Sequence, residues 1–204
     1  GIYRYLSVDE NSAFYGAAAA VQMKTLHLTA FYSRNTLDSH VEGDVLLSLP
    51  NTGLHRRDTE LSVKDKTFEK VIGFAAQVHM GSFTQVGLTF QNSSFSHHIP
   101  QNEKKQHDFY GAHNYVLGVN YDATVSRLNL FGEAAQSKSG GTVILLGSWW
   151  DFNPIELVLL WRRYDDVFQN FHALGFGESR SLRNEEGYYL GMRYRINRAV
   201  KVSS

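Results

Sequence analysis

The chain has 204 residues, with 20 basic and 20 acidic side chains that give a formal net charge of zero. This length fits one domain, and the neutral balance excludes a whole-molecule attraction to nucleic acid. The chain contains no cysteine, which excludes a disulfide scaffold, a thiolate metal site and a cysteine nucleophile.

Apolar and polar residues alternate with period two along most of the chain, in segments of about nine to eleven residues, as in strands that cross a bilayer. The first predicted strand covers about 13–23, and a turn at Lys24-Thr25 leads into a second strand. A polar stretch over about 34–67 follows. Two further strands are joined by a turn at Gly81-Ser82, and their apolar faces carry Ile72, Phe74, Ala76, Val78 and Met80, then Thr84, Val86, Leu88 and Phe90.

The second half of the chain repeats this pattern after a polar stretch over about 92–112. A strand through Tyr121 is predicted to turn at Asp122-Ala123 into a strand that carries Leu128 and Leu130. The remaining predicted strands lie at about 143–150, 155–162 and 188–196; they are separated by a turn over 151–154 and a long loop over about 163–186, and a turn at 197–198 follows the last.

Connections of two to four residues thus alternate with mostly much longer ones, an asymmetry that is typical of outer-membrane barrels. The polar faces carry glycine, amides and charges, which suits a wet or plugged lumen better than a soluble core. We therefore predict one all-β domain over 1–204, an antiparallel up-and-down transmembrane β-barrel of about ten strands. The alternative is a soluble all-β domain with inward apolar faces. Aromatic residues end the apolar faces, as in interfacial girdles: Tyr15, Tyr32, Phe90, Tyr121, Trp161, Tyr188 and Tyr194.

Several short phrases, in this order and spacing, resemble the β-barrel region of large Bacteroidota envelope proteins that are known for a helix-hairpin-helix domain. They are residues 31–34, 52–56, 131–135, 161–164, 176–179 and 184–191. The resemblance covers about 14–196 and implies an outer-membrane location and a barrel larger than this chain. The helix-hairpin-helix part is absent, so no DNA role is carried over. Residues 199–204 do not form the aromatic-ended strand that usually closes a barrel, so we expect further strands outside this sequence.

Six charged residues are predicted to lie on the polar faces of the later strands, where opposite charges in a confined lumen pair. One interpretation is a ladder for selectivity or plug anchoring; the other, which we favour, is a structural ion-pair network that fills the barrel. The six residues are Arg127, Glu133, Glu156, Arg162, Arg193 and Arg195.

The long loops carry two further candidate sites. His55, Arg56 and Arg57 form a basic patch that would contact lipopolysaccharide phosphates or a partner, or pack within its own loop. The histidines at 97, 98, 107 and 113, with Asp108, match no structural zinc spacing, so a solvated loop is favoured and no metal or cofactor is expected. Residues 178–186 contain charges that suit loop ordering.

These patterns predict a non-enzymatic outer-membrane protein that serves as a structural, transport or assembly component of the cell envelope, alone or as a subunit of a larger complex. Its expected partners are the lipid bilayer, lipopolysaccharide and other envelope proteins, and no nucleic acid. One alternative is an outer-membrane barrel hydrolase with a loop-borne site near Ser94, Ser96, His97 and His98, although no known motif is reproduced there. The other is a soluble all-β binding protein.

Overall fold

The computed structural model of this chain describes residues 14–49, 57–101, 109–172, 184–195 and 201–203. Within these ranges nearly all of the regular structure is β-strand, and the one short helix is α1 (Asp58–Leu61). The strands are β1 (Gly16–Gln22), β2 (Leu26–Leu37), β3 (His40–Glu42), β4 (Val45–Ser48), β5 (Thr67–Met80), β6 (Thr84–Ile99), β7 (Gly111–Val125), β8 (Leu128–Ser137), β9 (Thr142–Asp151), β10 (Ile155–Tyr164), β11 (Glu185–Arg195) and β12 (Lys201–Ser203).

The main sheet is an antiparallel up-and-down meander in the order β1-β2-β5-β6-β7-β8-β9-β10-β11-β12. Short connections over 23–25, 81–83, 126–127 and 152–154 lie at one end of the sheet, which we call the turn end; the other end is the loop end. The predicted antiparallel up-and-down all-β architecture is therefore confirmed, and the main sheet has ten strands, as predicted. Within the described ranges β1 pairs only with β2, and β12 only with β11, so that part of the sheet is open.

The outer face of this sheet is apolar and exposed. Register partners share a face, so alternate residues of all the long strands form one continuous surface. The apolar faces predicted from the sequence point outward rather than into a core. Large apolar side chains on this face, each at least about a third exposed, include Tyr32, Ile72, Phe74, Val78, Val86, Leu88, Phe90, Tyr115, Leu117, Val119, Tyr121, Leu130, Leu146, Leu159, Tyr188, Leu190, Met192 and Tyr194.

The inner face is polar and rich in glycine. Its buried polar residues include Ser33, Ser93 and Asn114. Two of its glycines each lie beneath an aromatic ring from the neighbouring strand, where a Cβ would overlap the ring: Gly73 under Phe31 and Gly147 under Phe131. Glycine therefore makes room for large rings that lie over the inner face of the sheet.

Three strands extend further at the loop end than the apolar pattern predicted. β2 continues to Leu37 and β6 to Ile99, and β7 begins at Gly111, although 34–67 and 92–112 were predicted as loops. The ladder hydrogen bonds continue beyond the apolar band, where the outer face becomes polar and the apolar alternation vanishes. The first long connection also folds: β3 and β4 pair, and Val45 of β4 pairs with His98 of β6.

The turn predicted at Asp122-Ala123 lies instead at 126–127, where Ser126 has a φ of 58°. The Asn129 amide donates to Asp122 Oδ1 at 2.8 Å and to Thr124 Oγ1 at 2.9 Å. These cross-strand bonds support the β7–β8 ladder as far as its last pair, Val125 and Leu128. The turn therefore lies four residues later than predicted.

No helix in the described ranges is both long enough and apolar enough to cross a membrane.

Candidate functional site

The first group of inner-face charges lies at the turn end. Glu156, near the start of β10, is only 5% exposed and has Arg193 as its register partner on β11. Arg193 Nη1 donates to Glu156 Oε2 at 3.2 Å, and Arg195 Nη2 contacts the other carboxylate oxygen. Three of the six predicted charges therefore meet as one ion-pair group.

The second group lies six residues along β10 at the loop end. Arg162 is 8% exposed, and its Nε and Nη2 atoms lie 2.7 and 2.5 Å from Glu185 Oε1. A Cβ added at Gly187 would lie 3.1 Å from Arg162 Nη2, so the glycine leaves space for the guanidinium across β11. The sequence placed Glu185 in a loop cluster, whereas it is the first residue of β11.

The two groups are separate rather than links of one ladder. They lie about 20 Å apart along the strand, and the apolar Leu160 is buried between them. Glu133 lies on the inner face of β8 opposite Leu145, but it is exposed, and the described residues show no ion pair for it. Arg127 lies in the β7–β8 turn, because that turn comes later than predicted. Three of the six predicted charges, Glu156, Arg193 and Arg195, thus form one ion-pair group, and Arg162 pairs with Glu185, which was not among the six. Arg127 and Glu133 make no ion pair among the described residues.

Replacing Glu156 with glutamine should lower the free energy of unfolding by about 1–3 kcal/mol, because two guanidinium groups would lose their shared counter-charge beside a buried amide. The value is below that for a fully buried pair, since both arginines are well exposed. Urea unfolding in detergent would measure it. Glu133→Gln, an exposed carboxylate on the same face, is the matched control and should change stability by less than about 0.5 kcal/mol. Equal losses in both variants would contradict a structural role for the Glu156 group.

The loop after β10 folds across the inner face, which the sequence did not predict. We call residues 165–172 the strap. It begins at Asp165, whose Oδ2 accepts hydrogen bonds from Thr142 Oγ1 at 2.6 Å and Thr142 N at 3.0 Å. The hydroxyl bond is the main cause that holds the pKa of the Asp165 carboxyl below its usual range. Asp165 is therefore ionised at neutral pH and fastens the strap to the start of β9.

The strap next lies over the end of β8. Ser139 Oγ donates to the Val167 carbonyl at 2.5 Å, and Gln169 N donates to Ser137 Oγ at 3.1 Å. Phe168 is 2% exposed, and a Cβ at Gly141 would overlap the Phe168 backbone. The glycine thus permits a close approach that any side chain there would block.

Beyond β8 the strap crosses three more strands. Asn114 Nδ2 of β7 donates to the Gln169 carbonyl at 2.8 Å, and the Phe171 ring packs edge-on against Phe95 of β6 with centroids 5.1 Å apart. His172 Nε2 lies 2.9 Å from Glu69 Oε1 of β5, where Glu69 is 4% exposed. Each of these strand residues belongs to the inner face.

The strap is long enough to cross the inner face. Four inter-strand spacings between β9 and β5 measure about 19 Å, and eight extended residues would reach about 26 Å. A turn closed by the hydrogen bond from Phe168 N to the Asp165 carbonyl at 3.3 Å takes up part of this length. The strap therefore lies across the inner surface at the loop end, so it narrows any passage enclosed by the sheet.

The loop-borne candidates are mostly engaged or lie outside the described residues. The residues outside the described ranges are His55, Arg56, His107 and Asp108. Arg57 is exposed, and its carbonyl accepts the first hydrogen bond of α1 from Leu61 N. His97 Nδ1 lies 2.9 Å from Ser96 Oγ and 3.1 Å from Thr67 Oγ1, while Ser96 Oγ also accepts a hydrogen bond from Phe68 N. No group of three potential metal ligands occurs within the described ranges.

Sequence reasoning therefore missed the strap and its anchors. The available signal was Phe168 and Phe171 in a connection predicted to be a loop, since large apolar residues in a loop indicate that it packs on another part of the protein. The anchors on the strands gave no signal, because Ser137 and Asn114 resemble any other polar inner-face residue.

No known protein family and no curated protein matches this chain, so the resemblance to Bacteroidota envelope proteins stays a prediction. Among solved structures, the chain is similar to OmpT, an outer membrane protein of Vibrio cholerae that was folded in vitro and solved in its trimer form. The two are 11% identical with a TM-score of 0.42, and the match covers 74% of this chain and 44% of that chain. The function is therefore argued from this chain's own geometry.

Proposed function

We propose that this chain is a stretch of an outer-membrane β-barrel that acts as a structural, transport or assembly component of the cell envelope. The observation that carries the proposal is the outer face, where exposed apolar side chains continue from β1 to β11. Soluble proteins rarely expose an apolar patch beyond a few hundred Å². Lipid is the partner that can cover such a surface on every strand at once.

The arrangement of the two faces supports a bilayer over a protein partner. Most strands have at least the roughly nine to eleven residues that a tilted crossing needs. The inner face holds the buried charges in pairs, which suits a polar lumen. Outer-face aromatics lie near both ends of the later strands, as in interfacial girdles: Trp161 and Tyr188 towards the loop end, Trp150 and Tyr194 towards the turn end.

The strap supports a restricted lumen within this proposal. A segment that contacts five strands and is directed across the inner surface would limit passage to small solutes or close the barrel. We propose that the protein is a narrow or closed barrel whose long loops face the exterior and other envelope proteins. We also propose no catalytic role, because Ser96 Oγ accepts a hydrogen bond from Phe68 N just beyond the last pair of the β5–β6 ladder, and His97 Nδ1 is shared between Ser96 and Thr67.

Membrane fractionation of the native full-length protein, with a boiled-versus-unboiled gel shift, tests this proposal. Localisation to the outer membrane with heat-dependent mobility is the expected result. A protein that is soluble without detergent and shows no shift would overturn the membrane location and the lumen together. Planar-bilayer recording then distinguishes a transport role from a structural or assembly role. Small or no conductance is expected for a narrowed lumen. The His97→Ala variant should have the same conductance as the unchanged protein.

A further inference from the structure

One outer-face row at the loop end concentrates positive charge, and the charges come from separate strands. Arg34 is the register partner of Lys70, Lys70 of Ser94, and Ser94 of His113. The Lys138 ammonium reaches the His113 carbonyl at 3.2 Å. We call Arg34, Lys70 and Lys138 the basic stripe; it crosses the sheet from β2 to just beyond β8.

The basic stripe borders the apolar outer face directly. The next row towards the turn end contains Tyr32 paired with Ile72, and Tyr115 in the same row on β7. These three side chains are 45%, 50% and 46% exposed. A molecule that contacts the stripe with a headgroup would therefore lay its apolar part on this surface.

The cations of the stripe are held together without a counter-charge among the described residues. Arg34 Cζ and Lys70 Nζ lie 4.6 and 5.5 Å from the centroid of the Phe68 ring, which attracts both cations. Like charges directly opposite each other destabilise a sheet. The ion pairs among the described residues include neither residue and do not include Lys138. Among the described residues no carboxylate therefore pairs with the stripe, which suits it to an anion.

The same outer face has a different charge arrangement on the later strands. Arg163 of β10 also points outward at the loop end and is well exposed. Its register partner is Glu186, and its Nε lies 3.7 Å from Asp165 Oδ1. The outward cation Arg163 thus has carboxylates beside it, whereas no described carboxylate pairs with the cations of the stripe.

We propose that the basic stripe binds the phosphate groups of an anionic lipid in the leaflet at the loop end. This inference rests on the proposed function and adds a site distinct from the 55–57 patch. Phosphate oxygens accept charge-assisted hydrogen bonds from guanidinium and ammonium groups. The acyl chains of the same molecule would cover the row of Tyr32, Ile72 and Tyr115, which selects a lipid over free phosphate.

The test uses the full-length protein in neutral detergent, with diphosphorylated lipid A and its dephosphorylated form as probes, and native mass spectrometry as the readout. The double variant Arg34→Gln, Lys70→Gln should bind the diphosphorylated lipid about tenfold to a hundredfold more weakly, since each charge-assisted contact contributes about one factor of ten. Arg163→Gln is the matched control and should bind as the unchanged protein does. Dephosphorylated lipid A should bind weakly to all three proteins.

The other outcomes overturn the inference. Equal binding of both lipid forms, or equal loss in Arg163→Gln, would show that the stripe does not recognise phosphate. Displacement of the lipid by millimolar inorganic phosphate would assign the site to a free anion instead. Folding into phosphatidylcholine vesicles, read by the gel shift, is measured in parallel. If the protein folds into the vesicles but does not distinguish the two forms of lipid A, the inference alone is wrong. If the protein does not fold into the vesicles, the proposed function is wrong.

Discussion

Replacing Leu159 with arginine should destabilise the folded protein by about 2–4 kcal/mol, because a cation would enter the hydrocarbon at mid-depth of the proposed bilayer. Leu159 lies in the middle of β10 on the outer face, is 50% exposed and pairs with Leu190. In a water-soluble protein, a substitution at so exposed a position would change stability by less than about 0.5 kcal/mol. Urea unfolding from lipid vesicles measures the difference directly.

Thr89→Arg is the matched control for this prediction. Thr89 is also exposed and central in its strand, but it lies on the inner face, where its register partner on β7 is Gly118. A long cation there can extend into the lumen, so only a small loss of stability is expected. The same small change in both variants would contradict a lipid-facing outer surface.

Phe168→Ala should release the strap from the sheet. Phe168 is 2% exposed, and truncating a fully buried phenylalanine typically costs about 3–5 kcal/mol. Because the strap crosses the strands only at their loop end, the loss should appear as local opening rather than global unfolding. Faster amide exchange at Gln169 and proteolytic cleavage within 165–172 are the expected observations.

The control for the strap variant is Phe83→Ala, in the β5–β6 turn, where the ring is 70% exposed. It should leave exchange and cleavage at the strap unchanged. In planar bilayers the Phe168→Ala protein should also conduct more than its parent, since a released strap no longer narrows the lumen. A cleavage pattern and conductance equal to those of the parent would mean that the strap neither depends on Phe168 nor restricts passage.

The alternation of side chains predicted the strands, their order and the outward direction of the apolar face. It succeeded because successive side chains of a strand point to opposite faces, so alternation shows which face each residue occupies, as in the run from Tyr188 to Tyr194. It failed where the outer face becomes polar, so the ends of β6 and β7 were predicted as loops. The β7–β8 turn was misplaced because Asp122 is a good turn former that here makes a cross-strand hydrogen bond.

The charged pairs were predictable only in part. Glu156 and Arg193 lie on polar faces of strands that are neighbours in sequence, so their meeting follows from the order of the strands. The strap involves residues that are distant along the chain, and period two carries no information on such contacts. The basic stripe was missed for a related reason, since its members are far apart in sequence and only the register aligns them.

The bond between His172 and Glu69 joins residues 103 apart, whereas the most distant register partners in the main meander, Leu26 and Val78, are 52 apart. Contacts between distant residues pay a larger loop-closure entropy and form slowly. We therefore expect the hairpins to assemble first, with an unobstructed interior, and the strap to dock last. Between the assembly of the hairpins and the docking of the strap, the strap does not yet cross the inner surface. A chain segment that has to leave the interior could do so during that time.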